Sequence, residues 1–149
     1  MKMNQFKAKL LESIEDAERI ELVEHSCARD FSSLTGIDID NSPNLEYKRV
    51  TLTKDLQTEF LNVFKEMSGA RKNKLSTCLF EPHHSIEFHF SDGTKSLIQI
   101  CFKCDRTIWE DIGLLEPRKF QATFADFIAP LGFQRERDWK ALAQEHAGN

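Results

Sequence analysis

The sequence predicts an α+β domain: a mostly antiparallel sheet built on a central hairpin, with helices packed on one face. Three observations predict it. Asp92-Gly93 separates two runs in which apolar and polar residues alternate, the mark of a hairpin turn between half-buried strands. Segments 53–68 and 117–129 carry apolar, mostly aromatic stripes at helical spacing. The order helix, strand, strand, helix, strand, strand, helix is too irregular for a doubly wound parallel sheet, so antiparallel pairing with segregated helices is the simplest solution. A chain of 149 residues is expected to form one domain, 1–149, with a core of its own.

The elements follow in order. Phe6, Leu10, Ile14 and Ala17 predict an amphipathic helix over 3–17. Glu18 to His25 reads as a first strand, with Ile20 and Leu22 on one face. Residues 26–45 lack periodicity and form a long loop. Within it, Asp38-Ile39-Asp40-Asn41-Ser42 looks like the start of a calcium loop. Pro43 stands where an EF-hand needs glycine and Arg49 where it needs glutamate, which excludes that site. Glu46 to Leu52 is a second strand. Thr53 caps a helix over 53–68 with the stripe Leu56, Phe60, Val63, Phe64 and Met67, and Gly69 ends it. Arg71-Lys72-Asn73-Lys74 reads as a solvated basic turn.

The hairpin spans 76–104. A two-residue turn would set Ile86 opposite Gln99. A three-residue loop, Ser91-Asp92-Gly93 with Gly93 left-handed, pairs Phe90 with Thr94, Ile86 with Ile98 and His84 with Ile100. The second register is preferred, because a one-residue slip would expose the hydrophobic set. It puts His83 opposite Cys101 on the polar face, and Cys104 opposite Phe80 on the other face with Cys78 nearby. Thr107 to Ile112 extends this strand or begins another. Pro117 fits the first turn of a helix over 117–129 carrying Phe120, Phe124, Phe127 and Ile128, with Pro130 and Gly132 ending it. The charged segment 135–149 holds a short helix anchored by Trp139 and Leu142.

The pattern Cys78-x-Phe80-x-Pro82-x-His84-x-Ile86, followed by Ile100-Cys101-Phe102-x-Cys104, resembles that of uncharacterised bacterial proteins in which C-x-F-x-P precedes I-C-F-x-C. The resemblance covers residues 78–104. It implies that the hairpin is the shared core and that the rest varies, and it implies no catalytic residues.

Three of the four cysteines and three of the five histidines fall in that stretch. They read first as reduced cysteines filling a sheet core. The alternative is a zinc site made from Cys78, His83 or His84, Cys101 and Cys104, since Cys-x-x-Cys is half of many such sites. A third reading is a thiol enzyme in which His83 activates Cys101 and Glu81 or Glu87 orients the histidine.

Composition narrows the function. A net charge of −4 argues against broad nucleic-acid binding. No apolar run reaches membrane-spanning length, and Met1 to Lys9 is not a leader. Four cysteines without a leader predict free thiols in a reducing cytoplasm. The acidity is concentrated: Glu12 to Glu24 holds six acids and one base. That is either a solvated face or a docking surface for a basic partner. The expected function is therefore a small soluble cytoplasmic binding protein without a cofactor. In its concrete form it is an immunity-type inhibitor that covers a basic nuclease toxin with Glu12, Glu15, Asp16, Glu18, Glu21, Glu24, Asp38 and Asp40.

Overall fold

A computed structural model of the chain describes residues 4–31, 42–72, 78–110, 112–113 and 115–147. The elements are α1 (Gln5–Asp16), β1 (Arg19–His25), a 3-10 turn at Ala28–Phe31, β2 (Glu46–Thr51) and α2 (Lys54–Glu66). They continue with β3 (His84–His89), β4 (Lys95–Cys101), β5 (Arg106–Trp109), α3 (Phe120–Ile128), a 3-10 turn at Ala129–Leu131 and α4 (Trp139–Ala147). The five strands form one antiparallel sheet in the order β2-β1-β3-β4-β5. The protein is of the α+β class.

The hairpin has the expected register. Ile86 faces Ile98 and His84 faces Ile100. Phe90 N–H donates to the Thr94 carbonyl at 2.9 Å, and Gly93 turns the chain at φ +89°. Asp92 closes the loop by accepting from the Thr94 N–H. Alternation then carries Ile20 and Leu22 of β1, Ile86 and Phe88 of β3, Ile98 and Ile100 of β4 and Trp109 of β5 into one core. Phe6, Leu10 and Ile14 of α1, Phe60 and Phe64 of α2, and Phe120, Phe124 and Ile128 of α3 fill it from the helical side. The rings meet edge-on or offset. Phe6 lies 5.1 Å from Trp109 and 5.2 Å from Phe120, and Phe60 lies 4.7 Å from Phe127.

Caps explain the helix boundaries. Asn4 accepts from the Lys7 N–H and starts α1, and Thr53 accepts from the Leu56 N–H and starts α2. Gly69 is not the stop that was expected. Helix α2 leaves through an extended Met67, and Lys7 Nζ donates to the Lys65 and Met67 carbonyls at 3.0 and 2.7 Å, so those acceptors need no left-handed turn. Helix α3 begins at Phe120, later than expected. Pro117 instead pairs with Arg71 in an isolated bridge, and its carbonyl accepts from the Phe120 N–H. Gly132 does stop the following turn, at φ +94°. The basic turn is only partly described, and Lys72 within it is not solvated. Its ammonium is buried against Glu116, which is 1% exposed, and donates to the Asp105 carbonyl. Of the long loop expected at 26–45, residues 32–41 lie outside the described residues.

The expectation of free cysteines is corrected. Cys78 and Cys104 form a disulfide with Cα atoms 5.8 Å apart, within the span a disulfide bridges. The register explains it, because Cys104 lies beyond β4 on the side where Cys78 approaches β3. Cys101 is free and buried, and Cys27 is free and half-buried. The thiol argument for a reducing compartment therefore fails. No described helix is long and apolar enough to cross a membrane.

The disulfide spans 26 residues of sequence, so loop-closure entropy gives it a stabilisation of about 3–4 kcal/mol. Thiol titration in denaturant should find two reactive cysteines per chain, and four after reduction. The reduced protein should unfold at clearly lower denaturant. Four thiols without reductant would contradict the pairing.

Candidate functional site

The face of the sheet away from α1, α2 and α3 is polar, and its geometry follows from the pairing of β1 with β3. That register sets Glu21 directly opposite Glu87, two like charges whose apposition is unfavourable by itself. Arg49 of β2 resolves it. Its Nη1 donates to Glu21 at 3.0 Å and to Glu87 at 2.9 Å, and its Nε donates to Glu46 at 3.0 Å. His89 Nε2 lies 2.9 Å from Glu21, and Arg19 approaches Glu21 at 3.6 Å. Burial alone would raise the Glu87 carboxyl, but the hydrogen bonds and charge of Arg49 outweigh it and hold Glu87 below the usual carboxylate range. The same guanidinium lowers Glu46 by hydrogen bonding.

Beside this cluster lies a cavity of about 610 Å³, lined in part by His25, Cys27, Arg29, Ser85, Glu87 and Gln99. A register shift between Glu24 and His25 re-aims the histidine as β1 ends. His25 Nδ1 lies 2.9 Å from the Ser26 carbonyl, which only accepts, so Nδ1 carries the proton. Nε2 then accepts from the Ser85 hydroxyl at 2.7 Å. Burial lowers the His25 pKa, so the ring stays neutral and keeps this arrangement.

At the same end of the sheet, His83 Nε2 donates to Asp30, 2.9 Å from each carboxylate oxygen. Trp139 of α4 stacks flat on the His83 ring at 4.1 Å. The Cys27 N–H donates to Asp30 at 2.9 Å. On the core side Glu24 faces His84 in the pairing and is closed over by Arg137. Both Glu24 and His84 are almost fully buried, 3.9 Å apart. Burial pushes the His84 pKa down to about 3, so His84 is neutral and Arg137 is the partner that balances Glu24. Glu24 Oε2 and His84 Nε2 lack hydrogen-bond partners among the described residues.

No protein-family model, curated protein or solved structure matches the chain. The site is therefore read from its own chemistry.

The expected zinc ligands are distributed differently from their spacing. Cys78 and Cys104 are bonded to each other and offer no thiolate, Cys101 is buried in the sheet, His84 is turned to the core, and His83 is held by Asp30. Among the described residues, metal-ligating atoms converge at Cys27, Asp30 and His83 and at Glu21, Glu87 and His89. The acidic residues divide as well. Glu12, Glu15, Asp16 and Glu18 are exposed, Glu21 lies on the polar sheet face, and Glu24 is internal. Asp38 and Asp40 lie outside the described residues. Asp30, Arg49 and Trp139 were missed as site residues, because the partners that bring them into the site, Glu21 and Glu87 for Arg49 and His83 for Asp30 and Trp139, are dozens of residues away in sequence. The available signal was His25-x-Cys27-x-x-Asp30, a tight run of ligand-type side chains at a strand end.

The depressed His84 pKa gives stability a pH dependence. The unfolded chain protonates this histidine near pH 6.5 and the folded chain near 3, so the unfolded state binds more protons in between and stability rises with pH across that window. Below pH 6.5 the protein should lose stability by up to about 1.4 kcal/mol per pH unit from this group. Denaturant melts of the wild type and His84→Gln between pH 4.5 and 7.5 check it. The variant should show a shallower slope, and equal slopes would contradict the assignment.

Proposed function

We propose that the chain is a protein-binding module that captures a basic partner, in the way an immunity protein neutralises a basic nuclease toxin. One observation carries the reading. Glu21, Glu46 and Glu87 share the guanidinium of Arg49, with His89 and the exposed Arg19 as further basic neighbours, at the rim of an open 610 Å³ cavity. Carboxylates held in place by such a lattice can transfer hydrogen bonds to an arriving arginine or lysine without first being ordered. The cavity is wide enough for a long basic side chain. The exposed Glu12, Glu15, Asp16 and Glu18 add longer-range attraction, which acts mainly on the association rate. Glu24 has no part in this surface. The Cys78–Cys104 disulfide supports an oxidising working place in preference to the cytoplasm.

Cross-linking in a lysate of the source cells, followed by mass spectrometry, should recover a partner of net positive charge whose association slows with added salt. Glu46→Lys combined with Glu87→Gln should weaken its binding by roughly tenfold or more, chiefly through faster dissociation. Charge reversal at Glu12, Glu15, Asp16 and Glu18 should slow association and leave dissociation nearly unchanged. A partner without positive charge, or an affinity unmoved by both sets, would overturn the proposal.

A further inference from the structure

We propose that Cys27, Asp30 and His83 form a site for one divalent transition-metal ion of the zinc class, with its fourth position open to the cavity beside Trp139. The inference is independent of the protein-binding reading.

Two distant pieces of chain assemble the site. The 3-10 turn Ala28–Phe31 folds Asp30 back over Cys27, so that Sγ lies 3.8 Å from Asp30 Oδ1 while the Cys27 N–H donates to Oδ2 at 2.9 Å. His83, at the entrance to β3, brings Nε2 to 2.9 Å from both carboxylate oxygens. One donor atom from each residue lies within 4.8 Å of the other two. Zinc bonds of about 2.0 Å to nitrogen or oxygen and about 2.3 Å to sulfur place tetrahedral donors roughly 3.3–3.5 Å apart. The distances of 2.9 and 3.8 Å bracket that spacing for the two pairs that include Asp30, and the third pair, Cys27 Sγ and His83 Nε2, lies within 4.8 Å and closes as the ion draws the thiolate in.

The donor set also fits. Thiolate, imidazole and carboxylate together suit a borderline-soft ion. Asp30 and His83 are buried and rigidly held, with Trp139 lying 3° from parallel to the imidazole and fixing its plane. On their solvent side Asp30 and His83 line a cavity of about 330 Å³ bordered by Glu81, Glu136 and Asp138 and also by Lys103, Arg137 and Lys140. It supplies an entry path and room for a water as fourth ligand. The other convergent set, Glu21, Glu87 and His89, already holds the cationic Arg49 between its carboxylates.

Loading exchanges protons for the ion. The Cys27 thiol releases its proton to solvent. For His83 to bind through Nε2, the proton that Nε2 donates to Asp30 must leave that atom, so the ring coordinates as the neutral tautomer protonated on Nδ1. Because the thiol and the imidazole nitrogen coordinate without their protons, affinity for the ion should rise with pH.

Titration of Zn²⁺ and Co²⁺ into the full chain, disulfide intact, tests the site. The expected result is saturation at one ion per chain, a thiolate-to-cobalt charge-transfer band, and displacement of cobalt by zinc. Cys27→Ser should abolish the band, Cys101→Ser should leave it unchanged, and His83→Gln should weaken zinc binding by more than about tenfold, since even outer-shell partners are worth that much. Circular dichroism identifies a variant that fails to fold. In that event, alkylation of Cys27 in the wild type gives the answer: zinc should slow it and a chelator should restore it. No saturable uptake, uptake unaltered in Cys27→Ser, or alkylation at the same rate with and without zinc would overturn the proposal.

Discussion

Strand β1 is inserted between β2 and the hairpin, and its pairing with β3 sets the chemistry at both faces of the sheet. In that one register Leu22 meets Ile86 and Ile20 meets Phe88, closing the core, while Glu21 meets Glu87 and Glu24 meets His84. The apolar pairs make the register favourable; the ionic pairs are what it imposes. Two carboxylates face each other on the polar side, and a carboxylate faces an imidazole inside the core. Each then requires a cation from elsewhere, Arg49 from β2 in the first case and Arg137 from before α4 in the second. A slip by one residue would turn both sets over and lose the core with them.

The register of the hairpin orders the cysteines and histidines. They are crowded in sequence, but a strand sends successive side chains to opposite faces, so they do not make one cluster. Cys78 and Cys104 meet where the strands of the hairpin begin and end, and lock its open end. Cys101 serves as a small buried side chain. His84 goes to the core and is kept neutral by burial, and His83, one residue earlier, is drawn to Asp30 and Trp139. The convergent donors come from the short turn after β1 and the entrance to β3. The largest side-chain density of potential ligands is thus in one segment, and the convergent atoms are shared between two.

The acidic run from Glu12 to Glu24 is divided in the same way. Helix α1 puts Glu12, Glu15 and Asp16 on its solvent side because Phe6, Leu10 and Ile14 take the other side. Strand β1 then alternates, which leaves Glu21 on the polar face and takes Glu24 inside. The six acids have three environments: free surface, a shared guanidinium, and a buried ion pair. Charge counted along the chain overstates the acidity of any one face.

The sequence by itself determined the α+β class, the hairpin register and the core stripes of α1, α2 and α3. These depend on local periodicity: Asp92-Gly93 marks the turn and admits two registers, and the alternation of apolar residues selects between them. The start of α3 and the end of α2 were less legible, because a distant lysine, Lys7, satisfies the carbonyls that a terminal glycine was expected to manage, and a bridge to Arg71 holds Pro117 outside the helix. Only the tertiary structure decided which cysteines are bonded, which acids are buried, and which side chains gather around Asp30. The buried acid and the gathering around Asp30 depend on β1 pairing with β3 across about sixty residues of chain, and the disulfide on the hairpin bringing Cys78 back to Cys104; neither composition nor spacing carries the energy of such contacts.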